Sequence, residues 1–135
     1  MIDREKINAQ KEPEEDFASA LLRFLKEFFR KFWPSCTFEE FLEETDEYFD
    51  ERIRQREAKG DVKYAGGKIT FTLSGDKVNM NAKLYYFINE NEKWTLQETS
   101  SQVDKSRFND WDKDEDLLRL SRGETVELDI NPPSE

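Results

Sequence analysis

The stretch from Asp110 to Ser121, DWDKDEDLLRLS, is the part of the sequence whose residue types and spacing come nearest to a chemical site. Its carboxylates stand at every second position, the spacing by which calcium-binding loops place oxygen ligands around the ion. The sixth position of such a loop needs glycine and the twelfth needs a bidentate acid, but here they are Glu115 and Ser121. We therefore interpret the acids as the first turn of a short helix, with Asp110 or Asp112 as its N-cap.

The amino-acid composition excludes most of the common kinds of catalytic site. The 135 residues include no histidine and one cysteine, Cys36, so a Ser-His-Asp site, a Cys-His site or a His-ligated zinc centre cannot form. Among the 31 acidic residues no pair is marked by its spacing as a general acid and base, and no glycine-rich turn opens a helix to hold phosphate. We predict a non-catalytic protein with no metal and no cofactor, in which Cys36 is a small buried side chain rather than a reactive thiol.

The charge balance restricts the partners. Net charge at pH 7 is −10, from 31 acidic and 21 basic residues. A surface of this sign repels nucleic acids and anionic lipids, whereas it favours solubility and suits a basic protein partner. The first 16 residues contain no apolar run, so neither a signal peptide nor a membrane span is predicted there. Since one cysteine cannot form an internal disulfide, we expect a cytoplasmic protein, unless a leader has been removed.

Two amphipathic helices are predicted in the N-terminal half. Pro13 suits a first helical turn, and the helix that it begins should end at Trp33, because the proline that follows disfavours helical geometry there. Thr37 and Glu40 have the spacing of a capping box, so a second helix should begin at Thr37 and continue to Gly60.

After residue 60 the period of the apolar residues changes from 3.6 to 2, which indicates β-strands. Strands are predicted at 68–73, 78–88, 94–96 and 126–130, with a shorter one at 62–64 joined to the next by a Gly66-Gly67 turn and a short helix at 112–121.

The predicted fold is α+β: an N-terminal antiparallel helical hairpin packed on one face of a four- to five-stranded antiparallel meander sheet, with a short helix before the last strand. This layout resembles the cystatin-like and NTF2-like folds in arrangement, without a shared motif, and the resemblance implies no function. We expect residues 14–131 to form this single domain, with 1–13 as a flexible arm and 132–135 as a flexible tail.

Residues 21–33, LLRFLKEFFRKFW, form an unusually apolar part of the first helix. On a helical wheel the apolar positions of that helix span about 220°, so we interpret it as a core helix that touches both the sheet and the second helix. Its remaining strip carries four cations, while the second helix carries eight acids and no base between residues 37 and 51. Opposite charges are expected to meet along the seam between the helices, which disfavours a membrane-surface role.

Two large aromatic side chains, Tyr85 and Phe87, are predicted on the sheet face away from the helices. They would share it with Lys83 and, on the next strand, with Thr95 and Gln97, which leaves Trp94 and Leu96 for the core face. The interpretation that we favour is that residues 100–121, with Phe108 and Trp111, fold back over this face. The alternatives are a binding surface, or a sheet curved around a pocket for a small apolar ligand.

The first functional hypothesis is an acidic protein-interaction domain, an adaptor or an inhibitor or immunity-type antagonist that docks on a basic protein surface. A row of acids would steer the partner (Glu40, Glu44, Glu47, Glu51), and an aromatic residue would anchor it (Tyr85, Phe87 or Trp111). The alternatives are a protein that binds a small apolar ligand in a pocket between sheet and helices, and a subunit of a larger assembly; a homodimer is compatible with these hypotheses. Nucleic acid and membrane are not expected as partners.

Overall fold

The computed structural model describes residues 10–11, 15–58, 62–88 and 93–131. Its elements in chain order are strand β1 (Gln10–Lys11), helices α1 (Glu15–Lys31) and α2 (Phe38–Glu57), strands β2 (Val62–Ser74), β3 (Lys77–Ile88) and β4 (Lys93–Asp104), a 3-10 turn (Lys105–Arg107), helix α3 (Glu115–Ser121) and strand β5 (Val126–Ile130). The predicted α+β class, with two helices before the sheet and a short helix before the last strand, is confirmed. Apart from β1, the predicted arm lies mostly outside the described residues, and the predicted tail lies wholly outside them.

The strands form one five-stranded sheet in the order β1-β4-β3-β2-β5. β2, β3 and β4 are an antiparallel meander, and β5 returns to pair antiparallel with the other edge of β2. The two described residues of β1 pair parallel with Thr95 and Leu96 of β4. β4 is therefore an edge strand over most of its length in the described sheet.

The turn predicted at Gly66-Gly67 is wrong, because β2 continues through both glycines. Its register against β3 shifts between Tyr64 and Gly66, as in a β-bulge. Gly66 has a φ of 132°, which a side chain would strain, and a Cβ at Gly67 would collide with the carbonyl oxygen of Lys83. Glycine here allows a kink and a close approach of two strands rather than a reversal of the chain.

The start of α2 confirms the predicted capping box. The Glu40 backbone N–H donates to the Thr37 hydroxyl at 3.1 Å, and the Thr37 backbone N–H donates to the Glu40 carboxylate at 3.0 Å. α2 ends at Glu57, earlier than predicted, and the expected stop at Gly60 lies outside the described residues. α1 ends at Lys31, so Trp33 lies in the connection between the helices rather than in the helix.

Helices α1 and α2 lie over one face of the sheet, and aromatic rings fill the space between the layers. Phe38 and Phe41 stack on each other, and each meets Phe71 and Phe108 edge to face, with ring centroids 5.1–6.4 Å apart; all four rings are buried. α1 contributes one buried stripe to this core: Phe17, Leu21, Leu25 and Phe28. Because each large apolar side chain contributes about 1.5–3 kcal/mol when fully buried, this cluster accounts for much of the packing energy.

The faces of β4 are the reverse of those predicted. Thr95 lies opposite Tyr86, which is fully buried under the helices. Since side chains alternate along a strand, Trp94 and Leu96 lie on the outer face of the sheet. Most of the residues that β4 buries on this face are polar, namely Thr95, Gln97 and Thr99, and Val103 is the apolar exception.

Residues 105–121 do not cover the outer face, which corrects the interpretation favoured from the sequence. Phe108 is 3% exposed and packs on Phe38 and Phe41, on the helix side of the sheet. The backbone N–H of Cys36 donates to Arg107 O, and that of Asn109 donates to Cys36 O, each at 2.9 Å. The segment thus closes the end of the aromatic core, where Phe108 is removed from solvent.

Candidate docking surfaces

The acidic stretch at 110–121 caps helices. The Leu117 backbone N–H donates to the Asp114 carboxylate at 3.0 Å, so the N-cap of α3 is Asp114 and not the predicted Asp110 or Asp112. Asp110 instead accepts a hydrogen bond from the backbone N–H of Phe38 at 3.1 Å, at the start of α2. Across the described ranges, no group of three or more cysteine, aspartate or glutamate side chains is placed to hold a metal ion.

Cys36 is free and 2% exposed, as the sequence predicts for a small buried side chain. Burial, together with the negative charges of Glu40 and Asp110, raises the pKa of its thiol to about 12. The thiol therefore stays protonated at neutral pH and is a poor nucleophile.

The acidic row predicted to steer a partner lies on the side of α2 that borders α1, not on its outward side. Hydrogen bonds in the capping box hold the pKa of Glu40 below its usual value. Glu44 Oε1 lies 3.7 Å from Lys31 Nζ, and Glu47 and Glu51 remain exposed along a shallow cleft between the two helices. The row is accessible to solvent, but part of it serves the cap and the seam.

The predicted seam of ion pairs between α1 and α2 is short. In the part of the chain that the structure describes, Lys31 with Glu44 is the one ion pair that joins the two helices. Lys26 and Arg30 lie on the opposite flank of α1, away from α2. Arg23 of α1 lines the same cleft as Glu47 and Glu51. α1 therefore offsets the acidic charge of α2 with Lys31 and Arg23, while Lys26 and Arg30 remain on the other flank.

The three predicted aromatic anchors are not brought together. Tyr85 is 7% exposed, and Phe87 packs against Trp94 on the outer face with ring centroids 5.3 Å apart. Trp111 lies beside Phe108 at the end of the core, and its indole N–H donates to the carbonyl of residue 105 at 2.8 Å. The acidic row of α2 is on the other side of the sheet from Tyr85 and Phe87, so a single flat partner surface would not touch both sets.

A groove that the sequence did not reveal runs between α1 and β4, with a volume of about 820 Å³. Leu22, Phe29 and Trp33 line one wall, and Val103 of β4 lies in the other. Leu22 is 52% exposed and Trp33 is 69% exposed, and they are the exposed large hydrophobic residues of the described chain. The signal that could have found them is the 220° apolar arc, since both stand at one margin of it.

Cationic side chains border this groove: Lys26 and Arg30 from α1, Lys77 from β3 and Arg107 from the 3-10 turn. One carboxylate, Asp104, is among the lining residues, and it pairs with Lys77. The guanidinium of Arg107 lies 4.5 Å from the ring centroid of Trp33 and 5.3 Å from that of Phe29. The groove is thus a cationic and apolar surface on a protein of net charge −10.

Comparison of the chain with known protein families, curated proteins and solved structures finds no match. Within the described ranges, no helix combines the length and the apolar character that are needed to cross a bilayer. The function must therefore be inferred from the surfaces of the protein itself.

Proposed function

We propose that this chain is a non-catalytic protein-interaction domain that docks a partner in the groove between α1 and β4. The observation that carries the proposal is that Leu22 and Trp33, the exposed large hydrophobic residues of the described chain, both line that groove. Contiguous apolar surface of this kind is typical of binding sites. The stacking of Arg107 on Trp33 adds to the support, because tryptophan and arginine are enriched among residues that dominate binding energy.

A second candidate surface is the acidic side of α2, which would suit a basic partner. Glu39, Glu43, Asp46 and Glu47 are exposed and form no ion pair in the described part of the chain. Like charges spaced four residues apart on a helix cost a few tenths of a kcal/mol, and a cationic partner would remove that cost and associate faster. In this version the protein is an adaptor or antagonist steered by its carboxylates.

The packing favours a protein partner over a small apolar ligand enclosed between sheet and helices. The interior positions where such a ligand would sit are filled by Phe38, Phe41 and Phe71, each at most 1% exposed. The groove at the edge of β4 lies along the outside of this core, so its shape suits a segment of chain. A subunit of a larger assembly would use the same surface permanently.

Affinity capture from a lysate of the source organism with three baits tests the proposal. The baits are the wild type, the groove variant Leu22→Ser/Trp33→Ser and the matched α2 variant Glu43→Ser/Glu47→Ser, all of exposed residues and all checked for an unchanged unfolding temperature. We expect a stoichiometric partner on the wild type and the α2 variant and its loss from the groove variant. Loss from the α2 variant alone would favour the second surface. A partner retained by both variants, or no partner at low or high salt, would overturn the proposal.

A further inference from the structure

We infer that the occupant of the groove is an extended peptide segment that carries apolar and acidic residues, and that it binds by adding a strand to the free edge of β4. The inference rests on the proposed docking function of the groove, and it specifies the chemistry and the conformation of the partner. Three features of the described chain support it: the strand edge, the apolar wall and the charge of the rim.

The strand edge is β4, which is paired along one side, while its other side is mostly unpaired among the residues that the structure describes. Its pairing with β3 extends from Lys93 to Asp104, whereas the two described residues of β1 cover its second edge at Thr95 and Leu96. From residue 99 to 104, no strand or loop backbone in the described ranges hydrogen-bonds to this second edge. These six residues extend over about 17 Å and direct alternate N–H and C=O groups outward, which is the template for strand addition.

The apolar wall is α1, which lies beside this edge. An added strand would lie about 4.8 Å from β4, and every second side chain of it would point toward the helix side of the sheet. There it would meet Leu22 and Phe29, which lie on one flank of α1, and Trp33 in the connection that follows the helix. Apolar residues at alternate positions of the peptide would therefore be buried in the groove.

The rim selects carboxylates. Lys26 and Arg30 lie on the α1 side of the groove, and Arg107 lies on the β4 side, where Lys77 already pairs with Asp104. Acidic groups of the added strand would therefore meet a cation on either side of the groove. Arg107 lines the groove and is partly exposed, and an arginine guanidinium can bind a carboxylate through two N–H groups. A second copy of this protein is a poorer occupant, because its own four cations would face these.

The acidic surface elsewhere adds selectivity. α2 carries exposed carboxylates, and the net charge is −10, so an acidic peptide is repelled from α2 and attracted to the cationic rim of the groove. The charge layout thus favours one docking position for an acidic segment.

Selection of a displayed library of random nine-residue peptides on the full chain tests the chemistry. We expect enrichment of peptides with alternating apolar and acidic residues, whose affinity, measured by fluorescence anisotropy, falls as salt rises. Arg30→Glu should weaken them by about tenfold or more, whereas Lys31→Glu, the same charge change at the next residue on the opposite flank, should change affinity by less than about twofold. Enrichment of basic peptides, or equal effects of the two variants, would overturn the acidic partner.

Backbone N-methylation of a selected peptide tests the strand. Methyl groups on alternate amides that face β4 should weaken binding by about tenfold or more, and methyl groups on the intervening amides should leave it nearly unchanged. If groove variants abolish binding but methylation has no period of two, strand addition is wrong and the docking function stands. If groove variants have no effect, both are wrong. Concentration-dependent dimers of the protein alone that Arg30→Glu strengthens would identify a second copy as the occupant and overturn the peptide.

Discussion

The two flanks of α1 are the regions of the molecule that differ most. On the flank toward α2 and the sheet, Leu21 is 1% exposed and Lys31 lies beside Glu44. On the flank toward β4, the adjacent residues in the chain, Leu22 and Arg30, line an open groove. Residues of the same chemistry thus have different environments because successive positions on a helix are rotated by about 100°. Residue type alone does not tell a core residue of α1 from a docking residue.

The largest expected effect that tests this comparison is on folding stability. Leu21→Ala should lower the free energy of unfolding by about 2–5 kcal/mol, because it leaves a cavity in the aromatic core. Leu22→Ala should change it by less than about 0.5 kcal/mol, because the side chain already contacts solvent. Urea unfolding of both variants measures the difference. Equal costs would mean that the groove is closed in solution and that Leu22 belongs to the core.

The parts of the fold that the sequence predicted correctly depend on local patterns. The period of 3.6 indicated two helices and the change to a period of 2 indicated the meander, since these periods follow from backbone geometry. The capping box at Thr37 and Glu40 marked the start of α2 within one residue, because both partners lie within one turn. Local chemistry was sufficient for these elements.

The faces of β4 could not be predicted because they depend on a neighbouring strand. Trp94 and Leu96 alternate with polar residues, as on a strand with an apolar core face, yet it is Thr95 and Gln97 that are buried. The pairing of Thr95 with Tyr86 decides the matter, and a shift of one residue would reverse every side chain. The sequence of residues 93–104 by itself does not determine which residues of β3 they pair with.

The candidate groove could not be predicted, because it lies where one flank of α1 is left partly uncovered by the other elements of the described chain. The apolar arc of α1 indicated correctly that the helix packs on two elements. It did not indicate that the apolar residues at one margin of the arc would be left uncovered by both. The position of Phe108 on the helix side, instead of on the outer face, likewise depends on the open end of the core between α1, α2 and the sheet. Such contacts are set by the assembled fold.

A smaller effect on stability is expected at the start of α2, where Thr37 and Glu40 form the capping box and the other acids of the helix have no such role. Thr37→Ala should lower the free energy of unfolding by about 1 kcal/mol, because the first turn loses its cap. Glu43→Gln, an exposed acid on the same helix that forms no ion pair in the described chain, should have little effect. Urea unfolding at pH 7 compares the two, and equal effects would mean that the capping box does not stabilise α2.

The same cap should respond to pH. Its hydrogen bonds from Thr37 hold the pKa of Glu40 below its usual value, so the charged form is favoured in the folded protein. The stabilisation that this gives is present above the pKa of the unfolded chain and is lost as the pH falls through the lower folded-state pKa. The difference between wild type and Glu40→Gln should therefore shrink between pH 5 and acid conditions (about pH 3). A stability difference that stays constant with pH would show that the negative charge of Glu40 does not contribute to the stabilisation by the cap.

The smallest expected effect is the ion pair that separates the two flanks of α1. A double-mutant cycle of Lys31→Ala with Glu44→Ala should give a coupling of about 0.2–1 kcal/mol that decreases at high salt, because the Lys31 side chain is 68% exposed. The matched cycle of Arg30→Ala with Glu44→Ala should give about zero, since Arg30 lies on the groove side. Similar coupling in both cycles would mean that α2 neutralises both flanks, and the groove would then lose the cationic charge that should attract an acidic segment.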